Sequence, residues 1–117
     1  MPRSIAIDEL STLLGILAHP DRIRLIEILK QGESDVNALS ERLELSQARV
    51  SQHLSLLKSH HLVRKRKEGR HAYYNLYNVK IADWLLVGLD FVEVDLRHRD
   101  EVHKDLKELR SKWGKYG

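Results

Sequence analysis

Residues 45–76 constrain the fold of this chain more than any other segment, because they predict a helix followed by a basic hairpin. Ser46 is a good helix N-cap, since its hydroxyl can accept a hydrogen bond from the unpaired amides of the first turn. Val50, Leu54 and Leu57 follow at i, i+4 and i+7, so they form one apolar stripe that faces a core. The segment therefore predicts a helix with one buried face and one polar face.

The hairpin is predicted from two short strand-like runs on either side of a basic segment. Residues 62–63 begin a strand, residues 64–70 form a basic turn, and residues 72–76 return. Residues 46–71 hold seven Lys or Arg and one Glu, a charge of +6, whereas the rest of the chain holds 13 basic and 16 acidic residues, a charge of −3. Such a concentration of positive charge is expected of a surface that binds double-stranded DNA.

The residues before the helix predict a second helix that crosses it. Residues 36–43 have apolar side chains at Val36, Leu39 and Leu43, which suits a short helix with one buried face. The link at residues 44–45 is short enough to let the two helices cross steeply. The combination predicts a helix-turn-helix followed by a two-stranded wing.

The polar face of the second helix and the basic hairpin are the candidate DNA-binding surface. Gln47 and Gln52 suit the edges of adenine, and Arg49 suits guanine or phosphate. The cations of the wing would follow the phosphate backbone or enter the minor groove. The candidate DNA-binding residues are Ser46, Gln47, Arg49, Ser51, Gln52, His53, Lys58, Lys65, Arg66, Lys67 and Arg70.

Several linked motifs occur in order along residues 13–77. They are Leu17-Ala18-x-Pro20-x-Arg22-x-Arg24-Leu25, Leu45-Ser46-Gln47-x-x-Val50-Ser51-x-His53-Leu54-x-x-Leu57, Leu62-Val63, and Glu68-Gly69-Arg70-x-x-Tyr73-Tyr74. With these motifs the chain resembles the ArsR/SmtB-type bacterial transcriptional repressors. The resemblance implies a mostly α fold with a small two-stranded β wing. It also implies a homodimer that represses transcription from an imperfect palindromic operator.

The segments on either side of the DNA-binding core are expected to form the dimer. Residues 5–17 and 81–96 each predict a helix, and the second is apolar over so much of its circumference that it needs partners on more than one side. In proteins that this chain resembles, the first and last helices of two chains pack together. The candidate interface residues are Leu10, Leu14, Leu85, Leu89 and Val92.

Residues 98–113 predict a separate amphipathic tail helix, with the whole chain, 1–117, forming a single domain. Val102, Leu106, Leu109 and Trp113 recur at i, i+4, i+7 and i+11, after a strongly charged segment at residues 97–101. The tail would either cover the dimer seam or dock another protein.

The resemblance also implies metal sites that this sequence lacks. Many relatives bind metal through thiolates at the start of the third helix, where this chain has Asp35 and Asn37, and it contains no cysteine. Others use imidazole and carboxylate ligands on the last helices. The matching positions here are Asn78, Lys80, Phe91 and Val94, of which a cation and two apolar side chains cannot ligate a metal. We therefore expect no metal at either place and no cofactor.

Of the seven histidines, all except His98 and His103 are assigned other roles. His19 can cap the second helix, His61 can adopt the left-handed conformation that ends the recognition helix, and His53 can contact DNA or make a local hydrogen bond. His98 and His103 remain metal candidates, but their i, i+5 spacing requires a bend or a second chain. One alternative function is thus a metal-responsive repressor with a non-standard site there.

The sequence predicts neither a catalytic site nor a membrane-spanning segment. No glycine-rich phosphate loop, HExxH or Gly-x-Ser-x-Gly element occurs, so we do not expect an enzyme. The start of the chain does not read as a signal peptide, and the apolar run at residues 84–87 is too short to span a bilayer, so we expect a cytoplasmic protein. A second alternative is a winged helix used for protein contact alone. An effector would be a small molecule or a protein partner that the sequence does not identify.

Overall fold

The computed structural model describes residues 4–113 and forms five helices and one three-stranded sheet over that range. The elements in chain order are α1 (Ile5–Leu17), α2 (Pro20–Lys30), β1 (Ser34–Asp35), α3 (Val36–Leu43), α4 (Gln47–Ser59), β2 (Val63–Glu68), β3 (His71–Leu76) and α5 (Lys80–Trp113). The predicted winged helix-turn-helix fold is confirmed. The chain divides into two units after Ala82, within the first turn of α5, and the rest of α5 belongs to the second unit.

The core of the first unit is built by α2, α3 and α4 against the sheet. The predicted stripe of α4 is fully buried, since Val50, Leu54 and Leu57 are all 0% exposed. Leu25 of α2 and Leu39 of α3 are also 0% exposed and complete the same core. The apolar periodicity of α4 therefore identified its buried face.

The ends of α2 and α4 follow their local sequence. His19 Nδ1 accepts a hydrogen bond from the Asp21 amide at 3.1 Å, which confirms the predicted cap of α2. Ser46 Oγ accepts from the Arg49 amide at 3.2 Å and caps α4 as predicted. His61 has φ +60°, so it ends α4 in the predicted left-handed conformation.

The sheet has a strand that the sequence did not reveal. β1 pairs antiparallel with β3, with Ser34 opposite Tyr74 and Asp35 opposite Tyr73, and the strand order is β1-β3-β2. A strand of two residues is too short to show an alternating pattern. The expected two-stranded wing is therefore the outer part of a three-stranded sheet.

The basic residues of the wing lie on a strand rather than in a turn, which corrects the expectation for residues 64–70. β2 continues to Glu68, which pairs with His71, and only Gly69 and Arg70 lie between the strands. Gly69 has φ +61°, and glycine at the first position of a two-residue hairpin loop accepts such a value without strain. The backbone pairing with β3 determines this strand, and long charged side chains are tolerated because all positions of β2 after Val63 are exposed.

The C-terminal third forms one continuous helix instead of the two expected helices at residues 81–96 and 98–113. The charged segment does not interrupt α5, because no glycine or proline lies within it. Arg97 pairs with Glu93 at 3.6 Å and Arg99 with Asp95 at 2.7 Å, both at the i, i+4 spacing that supports a helix. None of the helices in the described range is long and apolar enough to cross a membrane.

Candidate nucleic-acid interface

The outer face of α4 presents most of the polar side chains predicted to read DNA. Gln47, Arg49, Gln52 and Lys58 are exposed, as is the capping residue Ser46. Their exposure follows from the helical period, because the buried stripe occupies the opposite side of the same helix. The side chains predicted for the groove, except the half-buried Ser51, are thus available to a ligand outside the core.

His53 does not lie on that outer face. Its side chain is only 12% exposed and is directed towards the start of α2, where Arg22 Nη1 lies 3.4 Å from His53 Nδ1. The ring also lies 4.6 Å from the ring of His19, measured between centroids. This placement favours the predicted local hydrogen bond over the predicted DNA contact.

A polar groove of about 330 Å³ joins the start of α4 to the wing. Gln47, Ser51 and Arg70, predicted separately from the helix and from the hairpin, meet there. The full lining is Asp35, Val36, Asn37, Gln47, Ser51, Arg70, His71 and Ala72. The fold thus places the helix and the tip of the hairpin on one surface.

Asn37 is a member of this surface that the sequence did not single out as a DNA contact. The Gln47 side-chain amide donates a hydrogen bond to Asn37 Oδ1 and so links the first turns of α3 and α4. Asp35 caps α3 by accepting from the Ala38 amide at 2.8 Å, and its other oxygen lies 3.8 Å from His71 Nδ1. These contacts hold the groove together through side chains that are distant in sequence.

Arg66 differs from the other cations of the wing because two carboxylates hold it. Its guanidinium donates two hydrogen bonds to Glu33, at 2.6 and 3.2 Å, and one to Glu68 at 2.7 Å. The hydrogen bonds that Arg66 donates to Glu33 and then to Glu68 raise the pKa of Arg66, and the hydrogen bond from Arg66 lowers the pKa of Glu33. Arg66 also lies over the ring of Tyr73, 4.8 Å from its centroid.

Lys65 and Lys67 lie on the other face of the hairpin. Successive side chains of a strand point to opposite faces, so these two lysines alternate with Arg66 along β2. Both are exposed. The bidentate pairing of Arg66 neutralises it, whereas these lysines carry charge towards solvent.

One group of three potential metal ligands occurs among the described residues, and it is not the predicted pair. His19, Asp21 and His53 bring one ligand atom each to within 4.8 Å of one another. His98 Nδ1 instead lies 4.0 Å from Glu101 on the exposed surface of α5. The first group could not be predicted from the sequence, because His53 is far along the chain from the other two.

The predicted dimer residues are exposed in the single chain. Leu10 and Leu14 of α1 are each 49% exposed, and Leu89 and Val92 of α5 are 57% and 50% exposed. Leu85 is half-buried. Large apolar side chains in this state have area left to bury against a partner.

Comparison with known proteins identifies the family. The model for the arsR family of bacterial regulatory proteins matches residues 19–65, from the cap of α2 into β2. The chain is 34% identical over 84 residues to the arsenical resistance operon repressor of Staphylococcus xylosus, which covers 72% of this chain and 80% of that protein. It is 39% identical over 69 residues to the transcriptional activator HlyU of Vibrio cholerae, covering 59% of this chain and 64% of HlyU.

A solved structure agrees with this result. The fold is similar to a homodimeric winged helix-turn-helix DNA-binding domain from Mycobacterium bovis, with a TM-score of 0.69 and 26% identity over 82% of this chain and 93% of that one. The relatives are transcriptional regulators, which confirms the expectation that the chain is not an enzyme. The chain therefore belongs to the arsR family of bacterial regulatory proteins and is a DNA-binding transcriptional regulator with a winged helix-turn-helix fold.

Proposed function

We propose that this regulator is a homodimeric repressor that binds an imperfect palindromic operator in the cytoplasm. The observation that carries the proposal is the continuous surface on which the exposed face of α4 and the basic wing meet at one polar groove. A recognition helix of this kind enters a major groove, and two copies related by a twofold axis would contact sites ~34–36 Å apart. The +6 charge of residues 46–71 supplies the attraction to phosphate that a protein-contact module does not need.

The residues of this surface divide into those that read bases and those that bind phosphate. Gln47, Gln52 and Arg49 are our candidates for base edges, with each well-formed contact contributing ~1–3 kcal/mol of discrimination. Lys65 and Lys67 are our candidates for phosphate contacts. Ser51 is assigned to the groove as well, and Ser46, Lys58 and Arg70 complete the phosphate-binding set.

Arg66 has a different part in this proposal. Its three hydrogen bonds to Glu33 and Glu68 leave little of its charge for phosphate, and they fasten the middle of β2 to the segment before β1. Arg66 therefore supports the wing, and the lysines beside it contact DNA.

The dimer would form through the apolar side chains of α1 and α5. Leu10, Leu14, Leu85, Leu89 and Val92 are the residues we assign to it, and the relative from Mycobacterium bovis is itself described as homodimeric. Residues 13–77 form the DNA-binding core in this scheme. The distal part of α5, at residues 98–113, extends beyond the predicted interface and is available for an effector protein.

The experiment that tests the function begins with selection of duplexes from a random library by the full-length protein. Fluorescence anisotropy then compares the enriched duplex with a random duplex at several salt concentrations. Gln52→Ala should reduce the preference for the enriched duplex by about five- to 150-fold, equivalent to the loss of ~1–3 kcal/mol. His98→Gln is the matched control, because His98 is exposed on α5 and should leave affinity unchanged. If the protein enriches no sequence, or if Gln52→Ala keeps the full preference, the proposal is wrong.

A further inference from the structure

A cluster of polar side chains connects the recognition helix to the helices that precede it. Arg22, in the first turn of α2, donates from Nε to the carbonyl of Ile16 at 2.5 Å, which anchors its guanidinium at the end of α1. The Nη1 atom of the same guanidinium lies 3.4 Å from Nδ1 of His53, in the middle of α4. One side chain of α2 thus contacts both α1 and α4.

The direction of the contact determines the tautomer of His53. A guanidinium can only donate, so His53 Nδ1 must accept and the ring proton of a neutral imidazole must lie on Nε2. That nitrogen lies 3.9 Å from Asp21 Oδ2, which is too long for a direct hydrogen bond but suits electrostatic attraction or one bridging water. The Arg22 guanidinium therefore faces His53 Nδ1 as a donor, and His53 Nε2 in turn faces the Asp21 carboxylate as a donor.

The surroundings of His53 favour the neutral imidazole that this arrangement requires. Burial of the ring lowers the pKa of His53, and the neighbouring His19 and Arg22 lower it further, whereas Asp21 opposes them. A neutral ring accepts at one nitrogen and donates at the other, whereas an imidazolium would present a proton to Arg22. The ring is thus suited to lie between a cation and a carboxylate.

The distances and hydrogen bonds within the cluster of His19, Asp21 and His53 do not suit a bound metal ion. Tetrahedral zinc with ligands at ~2.0–2.1 Å would need its ligand atoms ~3.3–3.4 Å apart. Asp21 Oδ2 lies 3.9 Å from His53 Nε2 and 4.0 Å from His19 Nδ1. The lone pair of His19 Nδ1 already caps α2, and Arg22 keeps the proton of His53 on the nitrogen that would have to bind the metal.

We propose that Arg22, His53 and Asp21 form a polar relay that sets the rotation of α4, which makes His53 a positioning residue for operator binding. Apolar burial fixes how deeply α4 packs but is not directional, whereas a hydrogen bond has a preferred angle. A side chain that reads bases must be held to within ~0.5 Å and 10–20°, so a supporting contact in the same helical turn as Arg49 and Gln52 would control recognition. The inference rests on the proposed operator binding.

Substitutions at position 53 separate this role from a DNA contact. His53→Ala should lower affinity for the enriched duplex at least tenfold, while affinity for a random duplex and the salt dependence stay unchanged, because no phosphate contact is lost. His53→Gln should stay within about threefold of the wild type, since its oxygen can accept from Arg22 and its amide can donate to Asp21. His98→Gln is again the matched control. Affinities are corrected for the folded fraction measured by thermal melting.

A second set of variants changes Arg22, the hydrogen-bond partner of His53. Arg22→Lys keeps the charge but cannot reach Ile16 and His53 together, so it should cause a similar loss of operator preference. Adding His53→Ala to Arg22→Lys should cost little more, because both remove the same relay. The Arg22→Lys variant also tests the proposal on its own if His53→Ala fails to fold.

Several results would refute the proposed role of the relay. Losses that multiply in the double variant would mean that the two side chains act independently. Full affinity in Arg22→Lys, with failure of His53→Gln to restore binding, would mean that His53 touches DNA directly. One equivalent of bound Co²⁺ with visible absorption bands that vanish in His53→Ala would make the cluster a metal site. A wild-type protein that prefers no sequence would refute operator binding and the relay with it, whereas normal operator binding by every variant would refute the relay alone.

Discussion

The division of the wing cations into phosphate contacts and a structural support can be tested by the salt dependence of DNA binding. Lys65→Gln/Lys67→Gln removes two exposed charges from β2. Each phosphate contact contributes about −0.9 to the slope of log K against log salt, so the slope should flatten by ~1.8. If the affinity extrapolated to 1 M salt is unchanged, the same slope predicts a loss of about 60-fold at 0.1 M. The loss should be equal for the enriched and the random duplex.

The comparison variant is Glu33→Gln/Arg66→Gln, which removes one charge of each sign and leaves the net charge of the protein unchanged. Because the hydrogen bonds of Arg66 are made to Glu33 and Glu68, this pair should leave the salt slope within about 0.3 of the wild type. Anisotropy titrations from 50 to 300 mM salt would measure both slopes. A slope flattened by ~0.9 or more in the Arg66 variant would show that Arg66 neutralises a phosphate, and the assigned roles would then be wrong.

Three further predictions concern assembly, pH and metals. Leu89→Asp would bury an unpaired charge between two chains at a cost of several kcal/mol, so sedimentation should find a monomer or an aggregate, and an unchanged dimer would exclude Leu89 from the interface. The pKa of Glu33 should lie below its usual value and return towards it in Arg66→Gln, as followed by NMR titration. Since the pKa of Glu33 is depressed in the folded state, its contribution to stability is present above the unfolded-state pKa and is lost as the pH falls through the folded-state pKa. Operator affinity should be the same with chelator and with added zinc, nickel or cobalt, and a tenfold response that disappears in His98→Ala/His103→Ala would contradict this expectation.

The main features of the fold and of the recognition face could be predicted because their signals are local. The stripe of Val50, Leu54 and Leu57 lies within three turns of one helix, and a helix cannot bury one face without exposing the other. The same holds for the caps at His19 and Ser46, where the donor and the acceptor are two or three residues apart. Such contacts form whenever the segment becomes helical.

The errors arose where the sequence suggested a boundary that local chemistry did not require. The charged residues of β2 were interpreted as a turn, although charge alone does not end a strand that has a partner and solvent on its exposed positions. The charged segment of α5 was interpreted as a break, although charges of opposite sign four residues apart support a helix. Composition was a poor guide in both cases because it carries no information on spacing or pairing.

The sequence by itself determined which face of α4 is buried, how α2 and α4 are capped, and that one surface is basic. Only the tertiary structure decided how the side chains on that surface and behind it are used. Arg66 meets Glu33, and Arg22 meets His53, across 33 and 31 residues respectively. No periodicity relates residues at such separations, because their distance depends on how β1, α2 and α4 pack around the common core. In the packed fold the His53 side chain points inwards and Arg66 donates hydrogen bonds to two carboxylates, whereas Lys65 and Lys67 are exposed to solvent.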